Sequence, residues 1–283
     1  MSFVLRLVRR MATLPGLRRL TRVDALMRVS LSLRSSLVQQ PWRFVWNELR
    51  PDKRVTATYH LKESGVAITI RHKSPDILIL DEMFSQHEYR FPDTVLSRLA
   101  ERKAGPLQVA DIGANIGLFG AWVLGLFPDA EIVAFEPDPA NVAMHRRTIE
   151  NNGRAATWRL LEVGAMTQAG PIRFATGSFA TSHVARGDEG GIKVDGVDVF
   201  PLVADSDLVK IDIEGAEWPI LQDPRFGDLG ADAVVLEYHP EGSPEPDPAR
   251  AAGALLSKAR FDVIAHHPKD NGTGVLWAVR SSS

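Results

Sequence analysis

The run Val109-Ala-Asp-Ile-Gly-Ala-Asn-Ile-Gly117 ends an apolar strand in Asp111 and follows it with a glycine-bearing turn. Ile132-Val-Ala-Phe-Glu-Pro137 ends a second apolar strand in Glu136. In doubly wound sheets, ligands sit outside the carboxyl ends of the strands, and an acid closing the second strand can accept both hydroxyls of a ribose. A nucleoside-bearing ligand is the expectation. A third run, Asp207-Leu-Val-Lys-Ile-Asp-Ile-Glu-Gly-Ala-Glu217, gathers Lys210, Asp212, Glu214 and Glu217 across a strand-to-helix turn. Strand alternation puts Lys210 and Asp212 on one face, and Glu237 and His239 on one face of the next strand. If the two strands are neighbours, these four groups converge near their carboxyl ends.

The spacing discriminates between nucleoside cofactors. A dinucleotide fingerprint, G-x-G-x-x-G, rests a pyrophosphate on amides at a helix start. Here Asn115 stands where the second glycine belongs, and Asp111 would repel a pyrophosphate while suiting an ammonium or a sulfonium. S-adenosylmethionine (SAM) carries both, with a ribose for Glu136, so SAM is favoured over NAD. In methyl transfer the cofactor brings the electrophile and the protein supplies alignment. A hydroxyl acceptor holds its proton at neutral pH, so a positioned base is expected. His239 is the natural candidate, Asp212 the alternative, and Lys210 would orient Asp212 or the substrate oxygen. Two other readings stand beside this one. Lys210 and Glu237 make a plausible buried ion pair, and Asp212, Glu214 and Glu217 offer oxygen ligands to a magnesium ion, although no metal is the primary expectation.

Positioning these groups requires a particular set of elements. Strands are expected near 107–112, 131–136, 157–162, 208–213, 232–238, 261–266 and 274–280, with helices near 117–127, 139–152, 215–223 and 248–260. Extra strands near 171–174 and 193–200 flank a Ser/Thr/Gly-rich loop carrying His183. The fold class is α/β and Rossmann-like: a mostly parallel seven-stranded sheet with its last strand antiparallel. Upstream, residues 54–60 and 66–72 alternate around Glu63-Ser-Gly65 as a hairpin, Ile77 to Leu80 reads as a further strand, and residues 81–90 and 92–102 read as helices. Three units follow: a basic helical arm over 1–54, a hairpin and helical lead-in over 55–98, and the cofactor domain over 99–283.

Composition fits a globular protein of 283 residues, 45% hydrophobic and 24% charged. Cysteine is absent, which excludes disulfides, thiolate metal sites and a cysteine nucleophile. No apolar run approaches the roughly 20 residues that span a bilayer. Net charge is only −2, yet residues 1–54 hold about twelve Arg or Lys against about three acids. Pro15-Gly16 divides an Arg-rich amphipathic pattern there. Arg6, Arg9 and Arg10 interrupt the apolar core that a secretory signal needs. The expectation is a cytoplasmic protein whose arm is either a helical cap or a peripheral contact with anionic lipid. The remainder is acidic and shows no aromatic stacking motif, which argues against a nucleic-acid partner.

Together, Asp111-Ile-Gly-Ala-Asn-Ile-Gly117, Phe135-Glu-Pro137 and Lys210-Ile-Asp-Ile-Glu-Gly-Ala-Glu217 closely resemble the FkbM-type SAM-dependent methyltransferases, over about residues 85–240. The third motif is the most specific, and Glu88-Tyr89 resembles the family's lead-in. The resemblance implies a class I methyltransferase acting on hydroxyl oxygens of sugars or natural products. It implies that Asp111, Gly113, Asn115 and Gly117 shape the methionine side of the cofactor site, with Glu136 and Pro137 at the ribose. This chain departs from the pattern at Gly164-Ala-Met-Thr167, which leaves the adenine contact open. The expected function is O-methylation of a saccharide or glycosylated acceptor. An NAD-dependent sugar oxidoreductase and a non-enzymatic membrane-associated scaffold are the rivals, and homo-oligomerisation stays open.

Overall fold

Side-chain alternation along short apolar strands generates the two sides of the central sheet. Val109, Leu208 and Val235 face one apolar layer, while their neighbours Ala110, Val209 and Val234 face another. The computed structural model describes residues 31–51, 55–85, 89–102, 105–175, 183–184 (backbone only) and 190–282. The basic run before residue 31, Glu88 and most of the 176–189 loop, including the His183 side chain, lie outside the described residues.

Seven strands form the sheet: β3 (Gln108–Ile112), β4 (Glu131–Phe135), β5 (Trp158–Leu161), β10 (Leu208–Ile211), β11 (Ala233–Tyr238), β12 (Phe261–Pro268) and β13 (Gly274–Arg280). Their spatial order is β12-β13-β11-β10-β3-β4-β5. Pairs β10–β11, β10–β3, β3–β4 and β4–β5 are parallel, and β13 runs antiparallel to both neighbours. The chain order reverses between β3 and β10, so a crevice is expected outside their carboxyl ends. This is the sheet that the sequence pattern predicts.

Helices α4 (Leu118–Leu126), α5 (Pro139–Asn151), α7 (Glu217–Gln222) and α8 (Pro248–Lys258) connect the strands. Two starts are written locally. Asp138 accepts a hydrogen bond from the Ala140 N–H at 2.8 Å and Asp247 from the Arg250 N–H at 3.1 Å, each followed by proline at the first helical position. A second sheet, ordered β6-β9-β7-β8, inserts between β5 and β10. It comprises β6 (Gly164–Met166), β7 (Gly170–Ala175), β8 (His183–Val184) and β9 (Ile192–Asp198), followed by the short α6 (Phe200–Val203). Strand β6 was not legible in the sequence.

The lead-in contains α1 (Pro41–Leu49), the antiparallel hairpin β1 (Thr56–His60) and β2 (Ala67–Arg71), α2 (Asp76–Phe84) and α3 (Asp93–Ala100). Ile77 to Leu80, expected as a strand, is helical. Ile77, Leu80, Met83 and Phe84 are buried while Leu78 is exposed, a helical spacing that four consecutive apolar residues could not reveal. Strand β2 docks on α5: the Thr69 N–H donates to Thr148 Oγ1 at 3.0 Å, and the Asn152 amide both donates to and accepts from the Ala67 backbone. Ile68, Ile70, Tyr89 and Phe91 join the same apolar layer as Phe119 and Trp277. The lead-in therefore roofs one face of the sheet, the face to which Lys210 and Glu237 belong.

Candidate active site

Two cavities open at the carboxyl ends of β3, β4, β10 and β11, and they share a wall. The first is lined by Glu136, Pro137, Asn141, Gly164, Ala165 and Phe174 among others. The second is lined by Tyr89, Lys210, Glu237, His239, Lys269 and Thr273, with apolar Ile79, Met83 and Phe119. Gly113, Asn115, Asp212 and Glu214 line both.

The turn after β3 folds this way because of what surrounds it. Gly113 has φ +81°, and a Cβ there would lie 1.7 Å from the Asp212 carbonyl oxygen. Gly117 has φ +87°, and a Cβ would meet the ring of His145 at 2.6 Å. Both glycines are required by neighbouring protein atoms, and Gly117 lines neither cavity. Asp111 also lines neither. It is fully buried, 3.5 Å from Lys210 Nζ, and burial raises its pKa against the opposing pull of Lys210. Its charge faces a lysine inside the protein.

Glu136 sits at the tip of β4, in the first cavity. Its carboxylate accepts the Asn115 N–H and the Asp138 N–H, both at 2.8 Å. Burial outweighs these bonds and pushes its pKa up to about 7. Asn141 hydrogen-bonds the same carboxylate, and its own Oδ1 accepts from Arg71 Nη2 at 2.7 Å. Arg71 also grips the buried Asp76 through two guanidinium bonds of 2.8 Å. The hairpin thus braces the acid from behind. Asn141 and Arg71 gave no sequence signal, because neither belongs to a motif and the contact spans seventy positions.

Lys210 does not pair with Glu237. Its ammonium lies 3.2 Å from Asp212 Oδ2 and donates to the Gly113 carbonyl at 2.6 Å. Burial alone would lower its pKa, but Asp212 and Asp111 outweigh that and hold it above the ordinary lysine value. Burial pushes the Asp212 pKa up, but Lys210 and His239 hold it below the usual carboxylate range. The partner of Glu237 is Lys269, at 2.8 Å, and Tyr89 donates its hydroxyl to the other Glu237 oxygen at 2.5 Å. Tyr89 lies 3.4 Å from Asp212 as well. Its hydroxyl stays protonated, because burial and then the charges of Asp212 and Glu237 raise its pKa.

His239 closes the ring of charges. Its Nδ1 lies 3.2 Å from Glu217 Oε1, which also accepts the His239 N–H at 2.7 Å. The second Glu217 oxygen accepts the Gly215 N–H. Glu217 is fully buried and spent on these bonds, so the ligand trio of Asp212, Glu214 and Glu217 does not form. The groups that do converge are Asp212, Glu214 and His239, with ligand atoms within 4.8 Å of one another. Burial acts to lower the His239 pKa, but Glu217, Asp212 and Glu214 raise it to about 9. His239 is an imidazolium at neutral pH. Glu214, held at φ +54° with Nε2 of His239 at 3.4 Å, is driven up to about 8 by burial and by the charge of Asp212.

A Rossmann-like sheet ordered in this way, with an acid after its second strand and a lysine-to-glutamate motif after its fourth, defines a class I methyltransferase. The Methyltransferase FkbM domain model matches residues 111–263. The chain belongs to this FkbM methyltransferase family. It is 27% identical over 227 residues to Methyltransferase sdnD from Sordaria araneosa, covering 65% of this chain and 82% of that one. Among solved structures it is similar to Methyltransferase FkbM from Methylobacillus flagellatus KT, at TM-score 0.45 and 12% identity over 90% of this chain and 60% of that one. Magnesium protoporphyrin IX methyltransferase from Synechocystis PCC 6803, with bound SAM, matches at TM-score 0.42 and 13% identity, over 72% and 84% of the two chains.

Proposed function

We propose that the protein transfers a methyl group from SAM to a hydroxyl of a saccharide or natural-product acceptor. The observation that carries this reading is the common wall: Asp212 and Glu214 belong at once to the cavity of Glu136 and to that of Tyr89 and Lys269. Residues around the first cavity fit SAM. Glu136 offers carboxylate oxygens for two ribose hydroxyls, Phe174 an aromatic face, and Gly164 and Ala165 the small side chains that a flat base needs. When bound, SAM supplies an electrophilic methyl on a cationic sulfur. Asp111, Asp212, Glu217 and Glu237 outnumber the cations Lys210, His239 and Lys269, so the surroundings favour that added positive charge.

The second cavity suits a polyhydroxylated acceptor. Glu237, Lys269, Asn271 and Thr273 offer polar contacts opposite the apolar Ile79, Met83 and Phe119. Loaded with SAM, the shared wall would align an acceptor hydroxyl with that methyl, and the hydroxyl proton would have to pass to a group on this chain. His239 already holds its proton, so in this reading it fixes Glu214 and does not act as the base. Asp212 stays ionised beside Lys210 and serves electrostatically. In the free protein Glu214 holds a proton up to about pH 8; the positive charge of bound SAM would lower that value, freeing the carboxylate to take the acceptor's proton. Glu214→Gln should cut turnover by about a hundredfold or more with SAM affinity retained; unchanged turnover in this variant overturns the assignment of the base.

The same trio suggests a second reading, a divalent cation on Asp212, Glu214 and His239. The pairing of Asp212 with Lys210 and of His239 with Glu217 favours an internally neutralised set instead.

A further inference from the structure

Helix α1 is held on one side and bare on the other. On its inner side Phe44 is fully buried against Tyr59 and His72, with ring centroids 5.4 and 5.0 Å away. Asn47 donates to the Tyr59 hydroxyl at 2.9 Å, and Glu48 pairs with His72 at 2.8 Å. These bonds fix the helix rigidly on the hairpin. Its outer side carries Trp42, Trp46 and Leu49, at helical spacing, with relative exposures of 85%, 68% and 67%. Arg43 is exposed beside them and stacks over Tyr59.

We infer that the Trp42, Trp46 and Leu49 face of α1 is a seat for an anionic lipid surface. Two exposed indoles and a leucine on a rigid helix would each lose apolar area from water on insertion to headgroup depth, where tryptophan's amphipathic ring is favoured. Charge selects the occupant. The helix lies within residues 1–54, where about twelve basic groups meet about three acids, while the rest of the chain carries the excess of acids. A cationic stretch carrying outward tryptophans is complementary to an anionic bilayer. It is poorly matched to itself, since a two-fold dimer through this face would bring the two copies of the exposed Arg43 together. No described helix is long and apolar enough to cross a membrane, so the contact is one of surface seating.

The test uses the full chain and its Trp42→Ser/Trp46→Ser variant, both checked for folding by circular dichroism. Cosedimentation is measured with phosphatidylcholine vesicles, with and without phosphatidylglycerol, at low and high salt. Tryptophan emission is followed with brominated lipids. Expected are binding to the anionic vesicles only, weakening with salt, bromine quenching of emission, and at least about tenfold weaker binding with loss of quenching in the variant. Three results would overturn the inference. One is failure of the full chain to bind at low salt; another is binding of the variant as tight as the parent's. The third is a dimer in ultracentrifugation that the variant dissolves, which would assign the face to self-association.

Discussion

Glu217 and His239 are joined twice through one oxygen: Oε1 accepts the His239 N–H at 2.7 Å and lies 3.2 Å from Nδ1. A fully buried carboxylate at the start of α7 thereby sets the charge and direction of a histidine at the end of β11. The Nε2 is left facing Glu214.

This pairing makes stability depend on pH with a definite sign. His239 has a folded-state pKa of about 9 against an ordinary 6.5, so its contribution is complete below 6.5 and is lost as pH rises through about 9. Glu214, raised from 4.5 to about 8, keeps a proton that the unfolded chain releases, which also weakens the fold between those values. Thermal melting should therefore show a falling midpoint from pH 6.5 to 9. His239→Gln should lose about 3 kcal/mol at neutral pH by stranding Glu217, and should flatten the upper part of that fall. A midpoint that climbs over this range contradicts the assignment.

A rate profile separates the two acids at the shared wall. Turnover over KM should rise with pH along a limb at or below about 8, the value for Glu214 in the free protein. In Glu214→Gln the limb should vanish along with most of the activity, while Asp212→Asn should lower the rate and keep the limb. A limb that survives in Glu214→Gln assigns the proton to another group.

Backbone geometry gives a contrast between two glycines. Gly113→Ala would set a Cβ 1.7 Å from the Asp212 carbonyl, whereas Gly153, also at positive φ, has nothing within 4 Å. Gly153→Ala should cost about 1 kcal/mol in denaturant melts. Gly113→Ala should cost about 3 kcal/mol or more and abolish cofactor binding. Equal costs would mean that the β3 turn does not pack closely on the Asp212 carbonyl.

Chelation distinguishes an ion-paired wall from a metal-bound one. Turnover and melting temperature should be unchanged after EDTA treatment, because Lys210 already balances Asp212 and His239 is held by Glu217. A loss of activity restored by magnesium would support the cation on Asp212, Glu214 and His239.

Much of the sheet was legible because strand alternation, acid-terminated strands and helix starts such as Asp138-Pro139 are local signals. The convergence of Lys210, Asp212, Glu237 and His239 followed from adjacency of β10 and β11, and the structure brings all four to one cavity. Pairing within that set was legible only in part: Lys210 beside Asp212 was one expectation and Lys210 beside Glu237 the other, and only the first is found. Lys210 turned to Asp111 and Asp212 because β3 lies on its other side, and Lys269 reached Glu237 from the β12–β13 connection. Long-range bracing is invisible for the same reason: Arg71 reaches Asn141 only once β2 has docked on α5. Ile77 to Leu80 failed because a short apolar run fits a strand or a helix equally well.

In the proposed reaction Glu136 anchors SAM. Isothermal titration of the folded protein with SAM, S-adenosylhomocysteine and NADH, beside Glu136→Ala, tests it most directly. Saturable binding of the first two and none of NADH is expected. Because Glu136 takes up a proton near 7, affinity should weaken from about pH 8 to about pH 6. Glu136→Ala should bind at least about tenfold more weakly and lose that pH dependence. Absence of SAM binding by the folded protein, or binding of NADH in its place, would contradict it.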